Sequence, residues 1–330
     1  MTQNSPSSGN SPAPLTRGAA LRRAVPLILL AVLSAGCDPG GAPEAGTESP
    51  AAARLQFQLA GRLRSDRLDE ASGIQAGADG TLYLHDDEGT RLFVADPSGR
   101  YLRDLDVKQA NNRDWEDITR VPGADGPLLV IGDIGDNHTS RRNVSLYFVP
   151  EPQGEGDAVA THRVRITYPD GPRDAESLAY DADGGRLLIL SKRDQPPRLY
   201  GVPLDLALWK QDLEAEFLGE VPGLRPPTRT DILRNPGRGL WVSQPTGMDI
   251  SPDGRRAAVI TYRSLYLFER AAGEGWAAAL SRPPQEIVGP PGTQDEGVAF
   301  SADGRSVLVT AEGSPTPVWR LDLPDTQQAP

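Results

Sequence analysis

The sequence predicts an all-β fold, a β-propeller of four-stranded blades, and three observations carry that prediction. Five short turns recur along the chain: GADG at 77–80, GADG at 123–126, DADG at 181–184, SPDG at 251–254 and SADG at 301–304. Asp-Gly is a strong hairpin signal because glycine accepts the positive φ that such a turn demands. Each turn leads into a near-continuous apolar run, TLYL, PLLVI, RLLIL, AAVI and SVLV, as expected of a strand covered on both faces. A third element then carries an aliphatic-aromatic pair: Leu92-Phe93, Leu146-Tyr147, Leu199-Tyr200, Leu265-Tyr266 and Val318-Trp319. Successive turns lie 46 to 70 residues apart with no convincing helical pattern between them, a spacing that suits radial blades and is too loose for a stacked solenoid.

Taken in chain order, residues 1–36 read as an export signal. A Ser-, Pro- and Asn-rich start is followed by Arg17, Arg22 and Arg23, then by the apolar run Ala24 to Ala35. VPLILLAVLSAG is about half the length a membrane-spanning helix requires, so it cannot be a permanent anchor. Arg22-Arg23 precedes Ala-Val-Pro and serves as the basic end of an ordinary signal, not a twin-arginine one. LSAGC, Leu33 to Cys37, resembles the bacterial lipobox, with Ser34 where that motif prefers leucine. The resemblance implies that Cys37 carries acyl chains such as palmitate, becomes the mature N-terminus and ties the protein to a membrane of the cell envelope. An ordinary cleaved signal with an incidental thiol is the alternative. Cys37 is the only cysteine, so no internal disulfide can form and the fold must stand on packing.

Residues 38–53, DPGGAPEAGTESPAAA, lack apolar periodicity, and 37–53 is therefore read as the lipidated cysteine and a flexible tether. The propeller domain is expected over 54–325, with 326–330 a disordered tail. RLQFQLAGRL, residues 54–63, is a spare strand before the first repeat, whereas the fifth repeat ends near Leu323 without a fourth strand. The two deficits cancel if the N-terminal strand completes the last blade and closes the ring. Residues 222–244 are long enough for a hairpin but poor in apolar alternation, so they read as an insertion, with a degenerate sixth blade left open.

Composition narrows the partners. The whole chain has 34 basic and 45 acidic residues, and residues 1–36 hold three of the arginines and no acid, so the mature chain carries 31 against 45, a net charge of −14. That sign argues against nucleic acid and anionic lipid surfaces. A monomer is expected, with an unidentified protein or small molecule as the ligand.

SPDG and SADG, each preceded by an apolar-x-apolar strand, resemble the repeats of TolB-type and WD-like bacterial propellers. DWEDI, GDIGDN and DEGVAF together are similar to exported propellers of the phytase-like esterase and SMP-30 type. The resemblance covers residues 54–323 and implies a propeller, while its members include hydrolases, lactonases and proteins without known catalysis.

Hairpin geometry brings the candidate site together. The first two strands of a blade meet at the end opposite their Asp-Gly turn, so GDIGDN faces DWEDI, and Asp133, Asp136 and Asn137 approach Asp114 and Glu116. With Glu176 and Glu296 on neighbouring first strands, these side chains ring one mouth of the channel. Carboxylates with an asparagine and no cysteine or histidine pair suit a hard cation such as Ca2+. The competing account is a salt-bridge network in which Arg141, Arg142, Lys192, Arg193 and Arg263 satisfy the acids. The turn acids Asp79, Asp125, Asp183, Asp253 and Asp303 lie on the other face and read as turn formers. His85 sits on the acidic rim and, with Glu116, is a candidate acid or base, whereas His162 faces solvent. No G-x-S-x-G elbow, EF-hand spacing or phosphate loop is present. Two functions remain open: a ligand-binding propeller with an acidic mouth, and a metal-dependent hydrolase of an ester, lactone or phosphate.

The anchor gives the first prediction. Wild-type protein is expected in the detergent phase of a detergent partition and Cys37→Ala in the aqueous phase. Equal partitioning of the two would exclude lipidation.

Overall fold

Residues 55–292 and 294–324 are described by a computed structural model. The signal, Cys37, the tether and the tail lie outside the described residues. Each repeat forms an antiparallel blade, and in blades 1 and 2 a short strand from the next repeat, Ala158–Val159 and Asp212–Glu214, adds in parallel at the outer edge. From the inside outwards, blade 1 runs Ala71–Ala76, Leu82–Asp86, Arg91–Ala95 and Tyr101–Lys108. Blade 2 runs Asp117–Val121, Leu128–Asp133, Val144–Pro150 and His162–Thr167. Blade 3 has Ala175–Asp181, Arg186–Ser191, Arg198–Pro203 and Glu216–Glu220, and blade 4 has Pro245–Ile250, Arg256–Thr261, Ser264–Glu269 and Gln285–Val288. Blade 5 supplies only Asp295–Phe300, Ser306–Ala311 and Thr316–Asp322 from its own repeat. Its outer strand is Gln58–Leu63, antiparallel to the last strand with Gln58 opposite Arg320 and Leu63 opposite Thr316. The ring is closed by the N-terminal strand, as the sequence predicts.

Among the described residues there are five blades and no sixth. Residues 222–244 instead carry a short helix, Arg229–Arg234, started by a Thr228–Asp231 capping box and burying none of its side chains. Two further short helices, Leu204–Trp209 and Trp276–Leu280, correct the expectation of a helix-free chain. Each has under two turns, too few for a 3.6-residue period to show in sequence. No described helix is long and apolar enough to cross a membrane.

The apolar second strands are buried on both faces because each is shared by two cores. Leu187 and Ile189 pack towards blade 2, while Leu188 and Leu190 pack towards blade 4. In blade 2, Leu129 and Ile131 face blade 1 and Val130 faces blade 3. Five such clusters fill the five gaps between blades, so the domain is held by wedges between sheets and not by one central core.

At the axis the inner strands converge. Aligned by repeat, their central positions are Gly73, Asp117, Ser177, Gly247 and Gly297. A Cβ on Gly297 would stand 3.0 Å from the Ile74 nitrogen of blade 1, and one on Gly247 would stand 2.8 Å from the Glu296 carbonyl of blade 5. Into this confined space blade 2 inserts one carboxylate. Asp117 accepts from the Leu178 amide of blade 3 at 2.7 Å, the Met248 amide of blade 4 at 3.2 Å and its neighbour Ile118 at 2.9 Å. Gln75 takes the Arg120 amide at 3.0 Å and Asp249 the Phe300 amide at 2.7 Å, joining blades 1 to 2 and 4 to 5 in the same manner.

Removing the Asp117 carboxylate would orphan the two inter-blade amides, of Leu178 and Met248, at about 1–3 kcal/mol each. Asp117→Ala should therefore lower unfolding free energy by about 2–6 kcal/mol. Asp117→Asn, which keeps one acceptor oxygen, should lose less than half as much. Urea midpoints unchanged in the alanine variant would refute this stitching role.

Candidate metal centre

The mouth is built by an irregularity repeated in four blades. The ladder between first and second strands skips Ser72, Glu176, Thr246 and Glu296 in blades 1, 3, 4 and 5. A bulge bends the strand and re-aims the unpaired side chain. In blade 2 the equivalent Glu116 precedes the first strand and donates its amide to the Gly132 carbonyl at 2.9 Å. One repeat position thus yields Ser72, Glu116, Glu176, Thr246 and Glu296, and its three glutamates are all buried. Two residues earlier the repeats place Glu70, Asp114, Asp174, Gln244 and Gln294.

Where blades 2 and 3 meet, Glu116, Asp174 and Glu176 each bring one carboxylate oxygen within 4.8 Å of the others. All three are buried. Lys192 is bonded to one oxygen of Glu176 and, at 3.1 Å, to the Tyr262 hydroxyl. Arg193 holds Asp174 and Asn137. The other Glu176 oxygen, Oε2, is buried without a protein partner. Burial, and then the neighbouring carboxylates, push Glu116 well above the ordinary range. Burial raises Glu176 to about 7 against the pull of Lys192, and Glu296 is raised by burial and by Glu176. The acids outnumber the cations that reach them, and oxygen donors alone in this arrangement suit a hard divalent ion.

The GDIGDN loop explains its own composition. Asp133 is paired with Arg141 at 2.9 Å and accepts the Asp114 amide at 3.1 Å. Asp136 accepts the Arg141 amide at 2.7 Å and gives its own amide to Asp174 at 2.8 Å. Gly135 passes so close that a Cβ there would lie 2.1 Å from a Glu116 oxygen. Asp133, Asp136 and Asn137 are engaged by Arg141, by backbone or by Arg193, with Asp133 Oδ2 left buried and unpartnered, and the loop they build orients Asp114 and Asp174. Glu296 stands beside Glu176 and Lys192 on the blade 5 side.

Three placements differ from the sequence reading. His85 is not on the rim: it is fully enclosed, its Nε2 lies where a Gly73 Cβ would be 2.4 Å away, and burial pushes its ring down to about 4. It is a neutral core residue packed edge-on to Trp115 at 5.7 Å. Arg263 does not compensate the mouth, being held by Asp231 at 3.0 Å and Glu286 at 3.8 Å. His162 is half-buried, with its Nε2 2.9 Å from the Lys210 carbonyl. The structure adds Asp174 to the candidate ligands, and it places Lys192, expected as a compensating cation, and Tyr262 beside them. The signal for Asp174 was available, because DAESL repeats the Asp-x-Glu spacing of DWEDI.

The opposite end of the axis opens into a funnel of about 550 Å3, lined by Gln75, Thr119, Arg120, Tyr180 and Asp249. Its charged groups are already satisfied, Asp249 by Phe300 and Arg120 by Glu151 at 2.9 Å. Asp79, Asp253 and Asp303 accept amides two residues ahead at 2.9, 3.1 and 3.0 Å, as turn formers do. The buried carboxylate oxygen of Glu176 that lacks a protein partner is at the acidic mouth.

No family model matches the chain, and no curated protein does. Among solved structures it is similar to a gluconolactonase from Xanthomonas campestris, 15% identical, with a TM-score of 0.44 over 82% of this chain and 90% of that one. It is also similar to hydrazine synthase of Kuenenia stuttgartiensis, 13% identical, with a TM-score of 0.37 over 75% of this chain and 57% of that one. At these identities no side-chain role carries across.

The buried acids set a pH dependence. Glu176, Asp249 and Asp295 sit at about 7 in the folded chain, against ordinary values of 4.5, 3.8 and 3.8. Raised values mean that the native state holds protons the unfolded chain has released, so their contribution is complete below pH ~4 and lost as pH rises through ~7. His85, lowered from 6.5 to about 4, acts in the opposite sense between those values but is one group against three. In chelator, the melting temperature should fall between pH 5.5 and 8, and a flat or rising profile would contradict this electrostatic account.

Proposed function

We propose that the protein is an exported, lipid-anchored propeller that binds a divalent cation at its acidic mouth and, through that cation, an oxygen-rich ligand. The carrying observation is the convergence of Glu116, Asp174 and Glu176, all buried, with one Glu176 oxygen lacking a protein partner. A cation there would relieve the repulsion that raises Glu116 and Glu296 and supply the charge that Lys192 alone does not. Asp117 and its neighbours narrow the axis beneath, so a ligand would enter from the mouth. The anchor rests on LSAGC and the apolar segment before it; the tether 38–53 would hold the domain off the membrane.

One observation favours a second reading, metal-dependent hydrolysis of an ester, lactone or phosphate. The Lys192 ammonium and the Tyr262 hydroxyl lie 3.1 Å apart beside the carboxylates, where they could stabilise negative charge developing on a reacting oxygen. A bound cation would polarise the scissile carbonyl or phosphoryl group.

Calcium at a hundredfold excess over its dissociation constant should stabilise the wild type by about 2.7 kcal/mol. For a domain of this size that is a melting shift of ~5–10 °C. Glu116→Gln should abolish the shift while leaving a folded protein. If aryl esters, lactones or phosphomonoesters are hydrolysed, the same substitution should remove that activity. Melting curves indifferent to calcium, magnesium and chelator would sink both readings.

A further inference from the structure

Beside the mouth, between blades 3 and 4, lies a cleft of about 200 Å3 whose apolar wall is rich in proline. Pro196 and Pro197 form one side, and Pro222, Leu224, Pro226 and Pro227 come from the start of the insertion. Lys192 lines the same cleft while its ammonium reaches the carboxylate cluster through Glu176. The cleft and the candidate metal centre therefore share a residue, and the two lie side by side. Gln195 and Gln244 add two carboxamides to its lining, Ser243 a hydroxyl, and Asp194 a carboxylate whose charge is met by Arg173 at 3.4 Å.

Proline rings lose no side-chain entropy when a ligand settles on them, so this wall is organised before binding. Flat C–H faces without charge or spare N–H groups complement an aromatic ring better than a polyol. The volume is sufficient: a dry apolar cavity of about 150 Å3 accepts benzene. The insertion is also held in place. Arg263 pairs with Asp231 at 3.0 Å, and Ser243 donates to the Arg225 carbonyl at 2.7 Å, drawing the two ends of the segment together. A segment that reads in sequence as an interruption of the repeat thus builds a wall next to the acidic mouth.

We infer that this proline-lined cleft is a specificity subsite for the aryl group of an aromatic carboxylate, ester or related acyl compound, whose oxygens are directed past Lys192 to the cation. The inference rests on the cation-binding reading for the oxygen end and on the cleft alone for the ring. The ligand class is accordingly an aryl compound bearing an oxygen head group, one ring to two fused rings in size.

Calorimetry on the full chain separates the two parts. Calcium is titrated first, and then sodium 2-naphthoate and sodium acetate are each titrated with calcium and with chelator. In calcium, 2-naphthoate should bind about tenfold or more tightly than acetate, the range that a ring in an apolar pocket provides. Leu224→Trp, which fills the cleft, and Gln244→Trp, which narrows its rim, should each remove that preference while leaving calcium binding intact. The second variant serves if the first does not fold. Equal binding of the two carboxylates, no binding of either, or a preference that survives both substitutions would overturn the subsite. In those cases a calcium signal would leave the metal centre standing. A variant-sensitive preference in protein that does not bind calcium would support the cleft and remove the cation reading.

Discussion

The structure depends on a single constraint: five blades must bring five inner strands together around an axis too narrow for ordinary side chains. Gly247 and Gly297 meet that constraint by leaving no Cβ. Asp117 meets it differently, by filling the remaining space with a group that accepts backbone amides from blades 3 and 4 at once. An apolar residue there would leave those amides unpaired, and a cation would repel them. The cost is a carboxylate so deeply buried that its pKa is driven well above the ordinary range despite three amide donors.

The same geometry makes the mouth electrostatically strained. Directly above the axis the repeat supplies Glu116, Glu176 and Glu296, and the bulges of blades 3 and 5 leave Glu176 and Glu296 outside the ladder. Charges that a flat surface would spread through solvent are concentrated within a few ångströms in a low-dielectric recess. Lys192 and Arg193 offset part of this, the GDIGDN loop contributes amides, and Arg141, four residues past it, pairs with Asp133. Strain of this kind is a feature of binding sites, where stability is given up for a pre-formed constellation. The rest of the ring tolerates it because its stability comes from five separate wedges of apolar side chains and from the N-terminal strand that seals blade 5.

Some features were legible because their physics is local. Asp-Gly turns have a φ requirement that few residues meet, and doubly buried strands need apolar residues at every position, so five blades could be placed in the chain to within a few residues. The missing fourth strand of repeat five and the spare strand before repeat one were likewise visible as a pair. Other features were not legible, because they depend on approach between residues far apart in sequence. His85 lies next to acids in the chain, yet its ring is turned into the core against Trp115. Arg263 has the same repeat phase as Arg193, yet the insertion captures it.

What the sequence determined by itself was therefore the repeat: the turn chemistry, the strand order, the closure by residues 54–63 and the end of each blade at which acids collect. The tertiary structure decided which acids meet. Asp133, Asp136 and Asn137 were read as ligands from their proximity to Asp114 and Glu116 across one hairpin; the meeting of Glu116 with Asp174 and Glu176 spans two adjacent blades. A hairpin register follows from a turn that is local in sequence. The distance between two blades follows from how their side chains wedge together, and that is fixed only when the ring is closed.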